Sequence, residues 1–148
     1  MFLVDTNVLV YAANAQAPEH VACKRLVEQL RAGALPWRMT WGVVYEFLRV
    51  VTHPRVFETP WSITQAWAFV ESLCASPSLE VLVETDRHQG VLSEVLREVP
   101  ALSGNLLHDV HTATLMREHG VGRIYTRDTD FYRFQFLETV DPLTEPRS

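Results

Sequence analysis

The chain has 148 residues, 47% hydrophobic and 21% charged, which fits one globular domain with a real core and excludes a disordered or low-complexity protein. The formal net charge of -5 argues mildly against binding nucleic acid through bulk positive charge, although a cation-binding site lowers net charge by its own carboxylates. Cys23 and Cys74, far apart and outside any CxxC pair, argue against a cysteine zinc site and read as two reduced core thiols.

The opening apolar run, Phe2-Leu3-Val4, has strand character and ends at once in Asp5-Thr6-Asn7. It is neither a signal peptide nor part of a membrane span, which takes ~18 apolar residues; a cytoplasmic protein with no membrane partner is expected. Val8 to Ala13 reads as helix, with Thr6 placed to cap it. Between Glu19 and Arg31 apolar residues fall at Val21, Leu26, Val27 and Leu30, an amphipathic helix that Gly33 ends. Leu35 to Thr40 is a second strand, and Thr40 is placed to cap a helix from Gly42 to Val51. His53-Pro54-Arg55 breaks that helix. Ile63 to Cys74 reads as helix, Leu79 to Val83 as strand, and Arg87 to Val99 as helix. Asn105 is placed to cap a helix from Leu106 to His119, terminated by Gly120. Arg123 to Thr126 is a strand running into Arg127-Asp128-Thr129-Asp130-Phe131, and Leu137 to Val140 is a last short strand before a loose tail. Strands alternating with helices predict an α/β fold, a central parallel sheet with helices on both faces. In such folds the site lies beyond the carboxyl ends of the strands.

Two acids stand at such ends. Asp5 follows the first strand directly and Asp128 follows the Arg123–Thr126 strand by two residues. If both strands are central and parallel, both carboxylates emerge at one edge, with Asp130 a further candidate from the same turn. Glu46 sits in the mostly apolar helix Val43-Val44-Tyr45-Glu46-Phe47-Leu48. A carboxylate there needs a partner; Arg49 one turn on is one, a metal ion the other. Asp109 lies early in its helix, where an acid suits the dipole, and Thr112 and Ala113 on its face permit close approach to the sheet. Taken singly, each acid has an ordinary role as cap or ion-pair partner. Gathered at one edge, they repel: two carboxylates ~5 Å apart do so by roughly 3 kcal/mol at an effective dielectric near 20. Without a cation at least one would hold a proton. Hard oxygen donors without cysteine favour Mg²⁺ or Mn²⁺.

These residues carry a resemblance. Val4-Asp5-Thr6-Asn7-Val8-Leu9 is similar to the opening motif of PIN domains; Glu46 matches their second acid and Asp109, in His108-Asp109-Val110-His111-Thr112-Ala113, their third. Thr126-Arg127-Asp128-Thr129-Asp130-Phe131 is similar to the closing Thr-x-Asp-x-Asp-Phe motif, so the likeness spans residues 2 to about 143. Two further segments, Phe47 to Arg55 and Gly104 to Asp109, resemble a mycobacterial-type branch of the VapC toxins, with His108 where related chains often carry another residue. The resemblance implies a three-layer α/β/α domain over residues 1–143 followed by a short tail, 144–148. It further implies a homodimer, an Mg²⁺- or Mn²⁺-dependent endoribonuclease, and a VapB-type antitoxin that blocks the site. RNA targets in this family are often tRNA or ribosomal RNA. Asp5, Glu46, Asp109 and Asp128 would be the catalytic metal-binding acids, Asp128 a ligand before Asp130.

The implied chemistry is in-line attack of metal-activated water on phosphorus, leaving 5′-phosphate and 3′-hydroxyl ends. Thr6 and Thr126 would hydrogen-bond ligands or water around the acids; Asn7 would do the same or serve only the turn. Arg55 and Arg127 would hold RNA phosphates or be solvated surface residues. His108 and His111, three apart on one helix, form a possible zinc pair without an evident third ligand, and ordinary histidines are the better reading. Trp61, Trp67 and Phe69 would stack bases, but their helical spacing favours core or dimer packing. Other Asp-after-strand folds fit less well: a HAD-type phosphatase needs a second Asp where Asn7 stands, and a receiver domain needs a late Lys where Lys24 is far too early. The alternative of another class is a PIN-like module that binds RNA or protein without catalysis; such modules usually lose an acid, and all four are present here.

Overall fold

The computed structural model describes residues 1–144; residues 145–148, most of the expected tail, lie outside the described residues. Five strands, β1 (Phe2–Val4), β2 (Trp37–Thr40), β3 (Leu79–Leu82), β4 (Arg123–Tyr125) and β5 (Glu138–Val140), form one sheet in the order β3-β2-β1-β4-β5. All four pairings are parallel, as βαβ connections require. β1 is central and buried on both faces, which is why it reads as an unbroken apolar run rather than an alternation. Its side chains divide between two cores. Phe2 and Val4 join one with Leu9, Leu30, Trp37 and Phe47, while Leu3 joins the other with Val95, Met116, Ile124 and Phe131.

The first core is covered by α1 (Thr6–Ala13), α2 (His20–Arg31), α3 (Trp41–Val51) and α4 (Ile63–Cys74). The second is covered by α5 (His88–Glu98), α6 (Leu106–Glu118) and a 3-10 turn, Thr129–Arg133. The expected three-layer α/β/α arrangement is therefore present. Among the described residues no helix is long and apolar enough to cross a membrane.

Local departures from expectation have physical causes. The cap of α1 is Asp5, whose carboxylate accepts from the Thr6 amide at 2.8 Å, and Thr6 is the first helical residue. The expected cap of α6 is not made: Asn105 already has helical backbone and its side chain makes no cap hydrogen bond. In α2 the buried face is Cys23, Leu26, Val27 and Leu30, while Val21 is exposed. Cys23 supplies the i, i+3, i+4, i+7 register that Val21 breaks. Cys23 is buried, but Cys74, at the end of α4 and off its Ala66-Val70-Leu73 face, is exposed, so only one of the two thiols belongs to the core. The chain beyond Asp141 is less loose than expected as far as Thr144, whose amide bonds back to the Asp141 carbonyl at 3.1 Å. Of the three aromatics in the α4 region, Trp61 and Phe69 pack on Phe47, with ring centroids 6.3 and 5.1 Å away, while Trp67 is exposed.

Candidate active site

With β1 and β4 adjacent and parallel, the residues after their carboxyl ends meet, and Thr126 ties them together. Its hydroxyl donates to Asp5 Oδ2 at 2.8 Å and accepts from Asn7 Nδ2 at 3.1 Å and from the Asp128 amide at 2.9 Å. Asn7 Nδ2 also donates to Asp5 Oδ2 at 3.1 Å, and its Oδ1 accepts from the Arg127 amide at 3.1 Å. Asn7 therefore joins the two strand ends and does more than shape its own turn. Thr6 behaves differently: its amide bonds Asp5, but its hydroxyl points to the Val43 carbonyl at 3.3 Å, so it fastens α1 to α3 rather than touching an acid through its side chain.

Asp128 caps the 3-10 turn by accepting from the Asp130 amide at 2.9 Å. That cap brings Asp128 and Asp130 round towards α6, and one carboxylate oxygen each of Asp109, Asp128 and Asp130 lies within 4.8 Å of the others. Asp109 reaches this point because α6 is buried along Thr112, Ala113 and Thr114, small side chains that let the helix sit close to the sheet. Asp5 and Glu46 join the three aspartates in the wall of one cleft of about 760 Å³.

The cleft is a like-charge site. Burial first, then repulsion from Asp128 and Glu46, raises the Asp5 carboxyl to about 6, against the bonds from Thr126 and Thr6 that favour its charge. Burial, then repulsion from Asp128, Asp5 and Asp130, raises Asp109 to about 7. Glu46 goes the other way. Arg49 binds it through two hydrogen bonds, 2.5 and 3.1 Å, and holds its carboxyl below the usual range. Arg49 is thus the partner that Glu46 required, and among the described residues it is the only arginine or lysine in the cleft wall. Acids gathered in a partly buried wall, with Asp5 and Asp109 both raised by burial and by their like-charged neighbours and with Arg49 already paired, fit a divalent metal ion bound through oxygen. Asp109, Asp128 and Asp130 would hold it, with Asp5 beside them.

The expected phosphate-binding arginines fare unequally. Arg127 pairs with Glu19 and with Asp141, each at 3.2 Å, and so braces the loop after β4 against α2. Arg55 is exposed, and its guanidinium enters no ion pair among the described residues; it adjoins Val56 and Phe57, which line the cleft. His108 and His111 both line the cleft but do not form a pair. His111 Nε2 lies 2.7 Å from Glu84 Oε1, and His88 packs edge-on to it with ring centroids 6.0 Å apart. Glu84 and His88 were not among the residues expected near the site. They are 27 and 23 residues before His111, and only the docking of α5 on α6 brings them there.

Comparison with known proteins gives a consistent picture. The family model described as PIN domain matches residues 2–137. Ribonuclease VapC48 of Mycobacterium tuberculosis is 34% identical over 140 residues, covering 95% of this chain and 96% of that protein. VapC ribonuclease Mb2897 of Mycobacterium bovis is 36% identical over 143 residues, covering 97% and 96%. Among solved structures, that of VapBC2 from Rickettsia felis, bound to a DNA fragment from its promoter, shares the fold with a TM-score of 0.66 at 17% identity, covering 94% of this chain and 96% of that one.

Proposed function

The chain belongs to the PIN domain family, and within it to the VapC ribonucleases, and on that footing we propose that residues 1–143 form a single metal-dependent endoribonuclease domain, the toxin of a VapBC-type toxin–antitoxin module acting in the cytoplasm. The observation that carries the reading is the cleft itself: five carboxylates, Asp5, Glu46, Asp109, Asp128 and Asp130, share one wall. A phosphodiester approaching such a wall is repelled unless a cation intervenes.

The ion would be Mg²⁺ or Mn²⁺, and Asp109, Asp128 and Asp130 would hold it with Asp5 adjoining; when bound, it would supply positive charge for the phosphoryl oxygens and make a water more acidic. Asp5 accepts three hydrogen bonds, from the Thr6 amide, Asn7 and Thr126, so its carboxylate has one orientation and no freedom to turn away. Asn7 and Thr126 are positioning residues: they hold Asp5 and, through the amides of Arg127 and Asp128, set the direction of the loop that carries Asp128 and Asp130. Glu46, kept ionised by Arg49, faces the same cleft and orients water. In the reaction a water oxygen bonds to phosphorus, the bond to the 3′-oxygen breaks, and that oxygen leaves with a proton, giving 5′-phosphate and 3′-hydroxyl ends. Arg55, exposed next to cleft-lining Val56 and without an ion pair among the described residues, binds an RNA phosphate; Arg127 acts through the loop it braces.

Two partners belong to this reading. One is a VapB-type antitoxin, in keeping with the VapBC2 relative. The other is a second copy of the chain, for which the exposed Trp41 and Tyr45 of α3 and Ile63 and Trp67 of α4 offer apolar surface. The RNA target is of the tRNA or ribosomal RNA class.

The test is incubation of antitoxin-free protein with total cellular RNA and Mn²⁺. Discrete cuts that EDTA abolishes, and that Asp5→Asn reduces at least a hundredfold while RNA binding persists, are expected. Equal behaviour of wild type and Asp5→Asn in cleavage, with binding intact, would favour the non-catalytic module instead.

A further inference from the structure

Beside the acidic cleft lies a second cluster of different chemistry. Glu84 follows β3, His88 opens α5, and His111 stands on α6. One ligand atom of each lies within 4.8 Å of the other two. The three come from three separate elements, so their convergence is tertiary and not a product of helical spacing.

The surroundings favour a coordinated ion over a plain hydrogen-bonded pair. His88 uses Nδ1 for the Glu118 carboxylate at 2.6 Å, which leaves Nε2 as its ligand atom. The Glu118 side chain is fully buried. Its other oxygen accepts from the Thr85 amide at 3.0 Å and the Thr85 hydroxyl at 2.8 Å, and its own carbonyl accepts from Arg87. A buried carboxylate locking the far nitrogen of an imidazole is the arrangement that fixes ring orientation and tautomer behind a metal-binding histidine. His111 and Glu84 already stand 2.7 Å apart; two ligand atoms on one tetrahedral ion at the usual bond lengths sit roughly 3.3 Å apart, so only a small opening is needed.

We propose that Glu84, His88 and His111 form a binding site for a transition-metal ion of the Zn²⁺ class, distinct from the acidic oxygen site and oriented by Glu118. Two imidazoles and one carboxylate are a nitrogen-rich set that selects Zn²⁺ over Mg²⁺, whereas the aspartate cluster is all oxygen. Three protein ligands leave a fourth position open, and His111 places it at the edge of the RNA cleft. The ion would tie the first turn of α5 to α6, the helix that carries Asp109. The site does not depend on the ribonuclease reading, since its ligands take no part in that chemistry.

The experiment titrates metal-stripped protein with Zn²⁺ against a chromophoric chelator in excess Mg²⁺, and records the visible spectrum with Co²⁺ as a stand-in. Wild type and Asp128→Asn are expected to take one Zn²⁺ with equal affinity and to give the Co²⁺ bands of a nitrogen-containing, low-coordinate site. Glu84→Gln and His88→Gln are each expected to weaken Zn²⁺ at least tenfold and to remove those bands. Glu84 is half exposed, so Glu84→Gln stays folded even if His88→Gln, which disturbs buried Glu118, does not. Failure of wild type to bind Zn²⁺ in excess Mg²⁺, unchanged affinity in Glu84→Gln, or loss of Zn²⁺ in Asp128→Asn would each overturn the assignment.

Discussion

At the scale of single residues, the cleft stores its chemistry as displaced protons. Asp5, raised to about 6 chiefly by burial, and Asp109, raised to about 7 chiefly by burial, both exceed the ordinary aspartate value of 3.8. Between the ordinary and raised values the folded protein binds more protons than the unfolded chain, so metal-free stability declines as pH rises through that window. Glu46, Glu84 and Glu118 are held low and act in the opposite sense, but below their ordinary 4.5, so they leave the slope above pH 5 intact. Thermal denaturation in EDTA should therefore show a melting temperature roughly 5 °C lower at pH 8 than at pH 5. Mn²⁺ should recover most of that loss at pH 8, because an ion that binds only the folded state stabilises it. In Asp109→Asn both the slope and the Mn²⁺ response should shrink. A melting temperature that climbs from pH 5 to pH 8 and ignores Mn²⁺ would show that the acids are not coupled as described. Several of these residues were legible in the sequence because each stands at a conspicuous place: Asp5 after a buried strand, Glu46 among apolar neighbours, Asp128 after a second strand. The division of labour among Thr6, Asn7 and Thr126 was not, since which hydroxyl faces an acid depends on which helix the other one meets.

At the scale of elements, α3 shows how a cap positions an acid. Buried Thr40 ends β2 and accepts from the Val43 amide at 3.1 Å, fixing where the helix begins and hence which way Glu46, a turn and a half on, faces the cleft. Thr40→Ala should cost about 1 kcal/mol and lower the melting temperature by roughly 3 °C, with Thr40→Ser restoring most of it. An unchanged melting temperature would mean that strand and helix packing alone set the start of α3. This cap was readable because a hydroxyl before an apolar run is a local signal. Elements ruled by neighbours were less so. The 3-10 turn at Thr129–Arg133 exists because Asp128 accepts from the Asp130 amide and Phe131 is buried beneath α6, and nothing in its own five residues demands helix. In α2 the inward face is decided by Cys23, a small hydrophobe that a count of aliphatic residues passes over in favour of Val21.

At the scale of the whole molecule, the order of strands does the gathering. β1 at the centre with β4 beside it and β2 on its other side sets Asp5, the loop after β4 and the start of α3 around one opening, and α6 closes it with Asp109. Alternating strands and helices predicted a parallel sheet and a site at its carboxyl edge, and that much of the fold was in the pattern. The Glu84, His88, His111 and Glu118 cluster was beyond it. Its members span 35 residues by number, 84 to 118, and meet only after α5 and α6 dock, so no periodicity or motif links them. Hydrolysis of RNA at the acidic opening through a divalent ion, as proposed, differs in its products from cleavage through the RNA's own 2′-hydroxyl. RNA cut by wild-type protein in Mg²⁺ or Mn²⁺ should carry 5′-phosphate and 3′-hydroxyl termini when the ends are mapped, with no cuts after EDTA treatment. Fragments ending in 2′,3′-cyclic phosphate, formed equally well in EDTA, would contradict it.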